Sequence, residues 1–228
     1  MVKGMVTTED MSFSEADRAA VYRAIRARRD VRRGFTDRPL PDDVLRRLLA
    51  AAHCAPSVGL MQPSRFIVIR DLAARSAVHN IFHEAKQEAT ATYEGELRDQ
   101  YTSLKLEGIL DAPQNLCVVC DVQNERGHKL GRHTMPETAA YSTVCAVQNL
   151  WLAARAEGIG VGWVSILDPQ RLRDLLHIPD HILLVAYLCF GYVHEFGTEP
   201  ELERSGWEKR IPLEAAVSYE AYSEVEAK

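Results

Sequence analysis

A chain of 228 residues, 46% of them hydrophobic, can bury one substantial core, as a single domain or as half of an intertwined dimer. Its formal net charge of -5 argues against the broad basic face that nucleic acid requires, so a local arginine cluster points to a small anion. No apolar run approaches the length of a membrane span and the opening residues do not resemble a secretory signal, so the expectation is a cytoplasmic protein without nucleic-acid or membrane partners.

Residues 1–13 read as a flexible N-terminus. Ser14 then caps a predicted helix whose apolar positions include Ala19, Val21, Tyr22 and Ile25. That helix ends in Arg28, Arg29, Arg32 and Arg33, with Asp30 set among them. Cations at a helix C-terminus favour its dipole, which accounts for one or two arginines but not for four. Guanidinium groups grip phosphate in a two-pronged way and stay charged, so the cluster is a candidate anion grip.

A second helix follows, with Pro41, Asp42 and Asp43 in its first turn, Val44, Leu45, Leu48, Leu49 and Ala52 as its apolar face, and Pro56 beyond it. Pro56, Ser57 and Gly59 predict a tight turn, and Gln62-Pro63 leads into a buried strand at 65–71. Residues 72–104 are helix-prone but polar. Such a segment is usually a solvated helix pair, and the part from about Phe82 to Leu104 is marked as a possible lid.

The next strand, 115–121, holds Cys117 and Cys120, which with His128 and His133 faintly resemble a zinc-ligand series. A strand's period of two sends positions three apart to opposite faces, so no metal is expected. The five cysteines are odd in number and scattered, which suits reduced thiols in the cytosol. Thr134 and Glu137 predict a capping box around Pro136, opening a helix to about Ala156. Val144, Val147, Leu150, Trp151 and Ala154 lie on one side of that helix, and Tyr141, Cys145 and Leu152 on others. It is therefore expected to be buried all round, in the core or at a subunit interface.

Gly160 and Gly162 then flank a strand carrying Trp163, Val164 and Ser165, and glycine in a strand often marks close approach of a ligand or another backbone. A short helix from Pro169, the apolar run 181–193 and a C-terminal arm of about 205–228 complete the chain. The alternation implies one domain, a sheet with helices on both faces.

Four segments, in this order, carry a resemblance: Arg28-Arg29-Asp30-Val31-Arg32, Ala55-Pro56-Ser57 with Gln62-Pro63, Gly160-Val161-Gly162-Trp163, and Arg210-Ile211-Pro212. They resemble the FMN-dependent nitroreductase superfamily, whose pattern begins Arg-x-Ser-x-Arg. The resemblance runs from about Ala19 to Ala215. It implies an α+β fold, a nitroreductase-like three-layer α/β/α sandwich with a central mixed sheet, assembled as an intertwined homodimer. Asp30 in place of the usual serine, and Ser165 after the glycine strand, make the chain similar to the branch that fragments reduced FMN with molecular oxygen into 5,6-dimethylbenzimidazole for cobalamin (vitamin B12).

On this resemblance, reduced FMN is the substrate, supplied by a separate flavin reductase or by NAD(P)H-dependent reduction. Arg28, Arg32 and Arg210 would share its phosphate and pyrimidine edge, with Arg29, Asp30 and Val31 of the same segment also against the cofactor. Pro56, Ser57, Val58, Met61, Gln62 and Leu104 would frame the ring and ribityl chain. Gly162, Trp163, Val164 and Ser165 would lie against the isoalloxazine, with Asp30 and Ser165 as the catalytic pair. Two other readings stay open: an FMN-dependent NAD(P)H nitroreductase or quinone reductase, and a flavin-binding protein without turnover.

Overall fold

The computed structural model describes residues 12–223. The first eleven positions of the expected flexible N-terminus, and residues 224–228 of the expected C-terminal arm, lie outside the described residues.

Helix α1 spans Glu15–Ala27 and α2 spans Asp42–His53. Ser14 caps α1 as its sequence predicts: its hydroxyl accepts the Asp17 N–H while the Asp17 carboxylate accepts the Ser14 N–H. Strand β1 (Ser64–Ile69) leads into α3 (Leu72–Thr90) and α4 (Gly95–Ser103), followed by β2 (Gln114–Asp121). Helix α5 is Thr138–Ala156, β3 is Ile159–Val164, α6 is Pro169–Leu176, β4 is Ile182–Tyr192 and the short α7 is Glu201–Arg204. The capping box expected of Thr134 and Glu137 does not form. Glu137 itself is the cap residue of α5 and makes no side-chain cap bond.

The strands run β1-β2-β4-β3, and every neighbouring pair is antiparallel. The mixed character expected of the sheet is confined to one parallel bridge, between Asp30 and Val161 of β3. Successive β2 residues face opposite layers, as the pleat requires. Leu116 and Val118 pack with α2 and α5, against Leu48, Val147 and Leu150. Cys117 and Val119 pack on the other side with Val78 and Phe82 of α3 and Leu172 of α6. The result is the expected three-layer sandwich. Cys120 joins Met61 and Ala139 rather than Cys117, so the two thiols lie in different layers, and no metal-holding cluster occurs among the described residues. None of the described helices is long and apolar enough to cross a membrane.

Two expectations change here. Helix α5 is not buried all round: Tyr141 and Val144 form an open stripe, 54% and 42% exposed. Helix α1 buries no residue, leaving Val21, Tyr22 and Ile25 exposed. Within the candidate lid at 82–104, Phe82, Tyr101 and Leu104 are buried, and α3 runs on to Thr90 before the chain turns into α4.

Candidate functional site

The arginine cluster lies where α1 ends and the chain crosses the edge of β3. Val31 N–H donates to Val161 O at 2.9 Å, zipping this segment to the sheet. Asp30 is the next clamp. Its Oδ1 accepts the Trp163 N–H at 2.9 Å, and its Oδ2 accepts Arg32 Nε at 2.8 Å and pairs with Arg32 Nη2 at 2.6 Å. A carboxylate offers about four lone-pair positions, so these three bonds leave one free.

The four arginines have different partners. Arg29 donates to the carbonyls of Arg26, Arg28 and Thr198, so its guanidinium is tied to backbone while the residue lines the cleft described below. Arg33 pairs with Glu201 at 2.6 Å. Arg28 stacks on Trp151 with its guanidinium carbon 4.6 Å from the ring centroid, and Trp151 Nε1 donates to Arg29 O at 3.2 Å. Burial pushes the Arg28 guanidinium below its ordinary pKa; Asp30 opposes that shift, while Arg210 and Arg29 add to it. Among the described residues neither Arg28 nor Arg210 forms an ion pair. Arg28 therefore feels Asp30 at a distance but has no carboxylate bound to it, and Arg210 adds a like charge beside it.

Arg28, Arg29, Asp30, Arg32 and Arg210 line one cleft of roughly 120 Å³, closed on one side by Pro200, Glu201 and Leu202. Beside it, sharing Arg29, Asp30, Arg32 and Glu201, opens a cavity of roughly 640 Å³ walled by residues 194–199. The first suits a phosphate; the second has the volume of a small-molecule site. The donor set therefore fits a phosphorylated ligand such as FMN.

The other predicted residues sit elsewhere. Ser57, Gln62 and Pro63 line a separate small groove with His53, Ser142 and Ala146, and share no lining residue with the arginine cleft. The tight turn is present: Gly59, Leu60 and Gln62 all have positive φ, and Ser57 Oγ accepts the Gln62 N–H at 2.8 Å. Val58 N–H donates to Ser142 Oγ, and Pro56 is exposed. Both sites flank α5, the groove at Ser142 and the cleft at Trp151. Nine residues of helix separate them, about 14 Å along the axis.

Val31, Met61, Leu104 and Val164 are largely interior, 8%, 1%, 7% and 3% exposed, and of the four Val31 lines the larger cavity. Gly162 is glycine for a steric reason: a Cβ there would lie 2.1 Å from Val31 O. The close approach signalled by that glycine is to another backbone. Trp163 is half-buried and tilts against Trp151 with ring centroids 6.3 Å apart. Ser165 is exposed just beyond β3, and its hydroxyl has no hydrogen-bond partner among the described residues.

Trp151 and Glu201 were not singled out in the sequence as site residues. Trp151 reads as one more apolar position on a helix. Its role depends on Arg28 arriving above its ring from a helix more than a hundred residues earlier, which no local pattern carries.

The Nitroreductase family model matches residues 25–192. The chain is 49% identical over 185 residues to a 5,6-dimethylbenzimidazole synthase of Rhodospirillum rubrum, covering 81% of this chain and 87% of that one. It is 41% identical over 204 residues to a 5,6-dimethylbenzimidazole synthase of Rhodobacter capsulatus, covering 90% and 98%. Among solved structures, an iodotyrosine deiodinase with bound FMN and 3-iodo-L-tyrosine superposes with a TM-score of 0.69 at 20% identity, covering 89% of this chain and all of that one. Both the family match and identities this high over most of each chain place it: the chain belongs to the nitroreductase family, on the branch of the 5,6-dimethylbenzimidazole synthases.

Proposed function

We propose that the chain catalyses the oxygen-dependent fragmentation of reduced FMN to 5,6-dimethylbenzimidazole and erythrose 4-phosphate, the benzimidazole becoming the lower ligand of cobalamin. The observation that carries this reading is a carboxylate, Asp30, clamped in the wall of a cleft lined by Arg28, Arg29, Arg32 and Arg210, with Glu201 as its one other carboxylate. An anion in that position opposes phosphate binding unless it has chemistry to perform.

Reduced FMN supplies both the electrons taken by oxygen and the carbon of the product. The roles of the protein follow from the site. Arg28 and Arg210 lack carboxylate partners and hold the phosphate. Arg32 fixes the Asp30 carboxylate with two guanidinium nitrogens and, through Nη1, reaches Lys105 O at 3.4 Å. Asp30 takes a proton from the ribityl chain with its remaining lone pair. The Ser165 hydroxyl donates to the reacting edge of the ring.

Protein mixed with excess chemically reduced FMN in air tests the reading. Irreversible loss of flavin with appearance of the benzimidazole supports it. Quantitative return of oxidised FMN overturns it, in favour of a nicotinamide-dependent reductase if NAD(P)H then drives turnover, and of a flavin carrier if it does not. Ser165→Ala should change FMN affinity by less than about twofold, because one exposed hydroxyl contributes little binding, yet lower the yield of product per bound flavin. An unchanged yield would remove Ser165 from the mechanism.

The separation of cleft and groove along α5 supports a second part of the proposal: one FMN site is completed by the Pro56–Gln62 turn of a second copy. The open apolar stripe of α5, the exposed Val21, Tyr22 and Ile25 of α1, and the exposed Ile211, Leu213, Val217, Tyr219 and Tyr222 of the C-terminal arm would supply the interface. Obligate interfaces bury roughly 2,000–5,000 Å² of largely apolar surface. Sedimentation should give a dimer at micromolar concentration; a flavin-binding monomer would overturn this part.

A further inference from the structure

One short segment touches both the arginine cleft and the candidate lid. Residues 200–207 form a closed turn: Arg204 N–H donates to Pro200 O at 3.0 Å, Ser205 N–H to Glu201 O at 2.9 Å, and Trp207 N–H to Leu202 O at 2.9 Å. At one end Pro200, Glu201 and Leu202 wall the cleft, and Glu201 pairs with Arg33 at 2.6 Å. At the other end Trp207 meets two tyrosines of the candidate lid. Its ring lies 5.8 Å from Tyr93, edge to face, and 6.0 Å from Tyr101, while those two tyrosines stack at 4.6 Å. Gln100 Nε2 adds a hydrogen bond to Ser205 O at 3.2 Å.

Helix α4 otherwise has thin anchorage. Tyr101 is its only buried residue, 5% exposed, and that burial is the aromatic cluster itself. Three residues beyond Trp207 stands Arg210, which lines the cleft.

We propose that Trp207 is a positioning residue that couples filling of the arginine cleft to the seating of α4. A phosphate that draws Arg210 inward restrains the chain from 200 to 210, with Glu201 held by Arg33, and the rigid turn presents Trp207 to Tyr93 and Tyr101. The coupling is reciprocal: a seated α4 must tighten the grip on the ligand by the same factor that the ligand stabilises α4. This rests on the reading that FMN occupies the cleft. It goes beyond that reading by naming the link between anion grip and lid.

The test uses full-length protein, oxidised FMN as an unreactive probe, and hydrogen exchange of the α4 amides. In the wild type, FMN should slow exchange in α4 by about tenfold, the scale of one or two aromatic pairs. Trp207→Leu should bind FMN at most about tenfold more weakly than wild type and lose that slowing, and Trp207→Phe should restore most of both. Tyr93→Leu, which alters the cluster from the lid side and leaves residues 200–207 intact, should give the same loss and carries the test if Trp207→Leu does not fold. Slowing that persists in Trp207→Leu or in Tyr93→Leu overturns the proposal. Wild-type protein that binds FMN with unchanged α4 exchange overturns the coupling alone. Wild-type protein that binds no FMN removes the proposed function as well, so the two failures are distinguishable.

Discussion

Asp30→Ser should bind FMN, react it with oxygen and return it oxidised, with the yield of 5,6-dimethylbenzimidazole per bound flavin reduced by roughly 10²–10⁴-fold, the range of a positioned general base. Serine is the residue that the wider family pattern carries at this position, so the substitution restores a flavin-binding motif while removing the carboxylate. Asparagine is the less clean choice in this structure. One Asp30 oxygen accepts the Trp163 N–H and the other accepts from Arg32, so an Asn amide nitrogen must face a donor on one side or the other. A structural account of Asp30 makes a different prediction, because the carboxylate also holds Arg32. Arg32→Met breaks the same ion pair from the opposite partner and leaves the carboxylate in place. If Asp30 only positions Arg32, both variants lose product per bound flavin equally. If it moves the proton, Asp30→Ser loses far more. Equal losses, measured with reduced FMN at saturation, would overturn the assignment.

The layers of the fold were legible because each rests on a local pattern. Alternation in β2 sent Leu116 and Val118 to one layer and Cys117 and Val119 to the other, and the Ser14 cap was visible in sequence. The box expected of Thr134 and Glu137 failed where competing geometry won: the Thr138 hydroxyl turns back to Met135 O, and Glu137 adopts helical angles. The arginine cleft was legible as a charge anomaly, four cations where a helix end needs one or two. How those cations divide was not. Arg29 and Arg33 are taken up by residues 198 and 201, far along the chain, and only the folded contact separates them from Arg28. Burial around α5 was over-read for a related reason. Its composition is apolar on nearly every side, but composition does not say which apolar face meets its own chain and which meets another.

Gly162→Ala should be the most damaging single methyl group in the site, and its effect separates two reasons for a glycine. The added Cβ would lie 2.1 Å from Val31 O and 3.1 Å from Val31 C, so the obstacle is backbone and cannot swing away like a side chain. Relief requires residues 30–31 to move off β3 by more than an ångström. That displacement breaks Val31 N–H to Val161 O and Trp163 N–H to Asp30 Oδ1, the two bonds that zip the arginine segment to the sheet. Overpacking of this kind costs about 1–3 kcal/mol, and loss of two hydrogen bonds, one to a charged group, adds about 2–4 kcal/mol. At roughly 2–4 °C per kcal/mol for a domain of this size, the unfolding midpoint should fall by about 6 °C or more at fixed protein concentration. FMN affinity should fall with it, since Asp30 and Arg32 move together. Gly158→Ala is the matched control: its φ is +74° with nothing within 4 Å of the added Cβ, so it tests backbone strain without a clash. That variant should lose about 1 kcal/mol and bind FMN normally. A Gly162→Ala protein with wild-type midpoint and wild-type FMN affinity would mean that the segment from Asp30 to Arg32 is not held by β3, and the clamp on which the proposed chemistry depends would have to be abandoned.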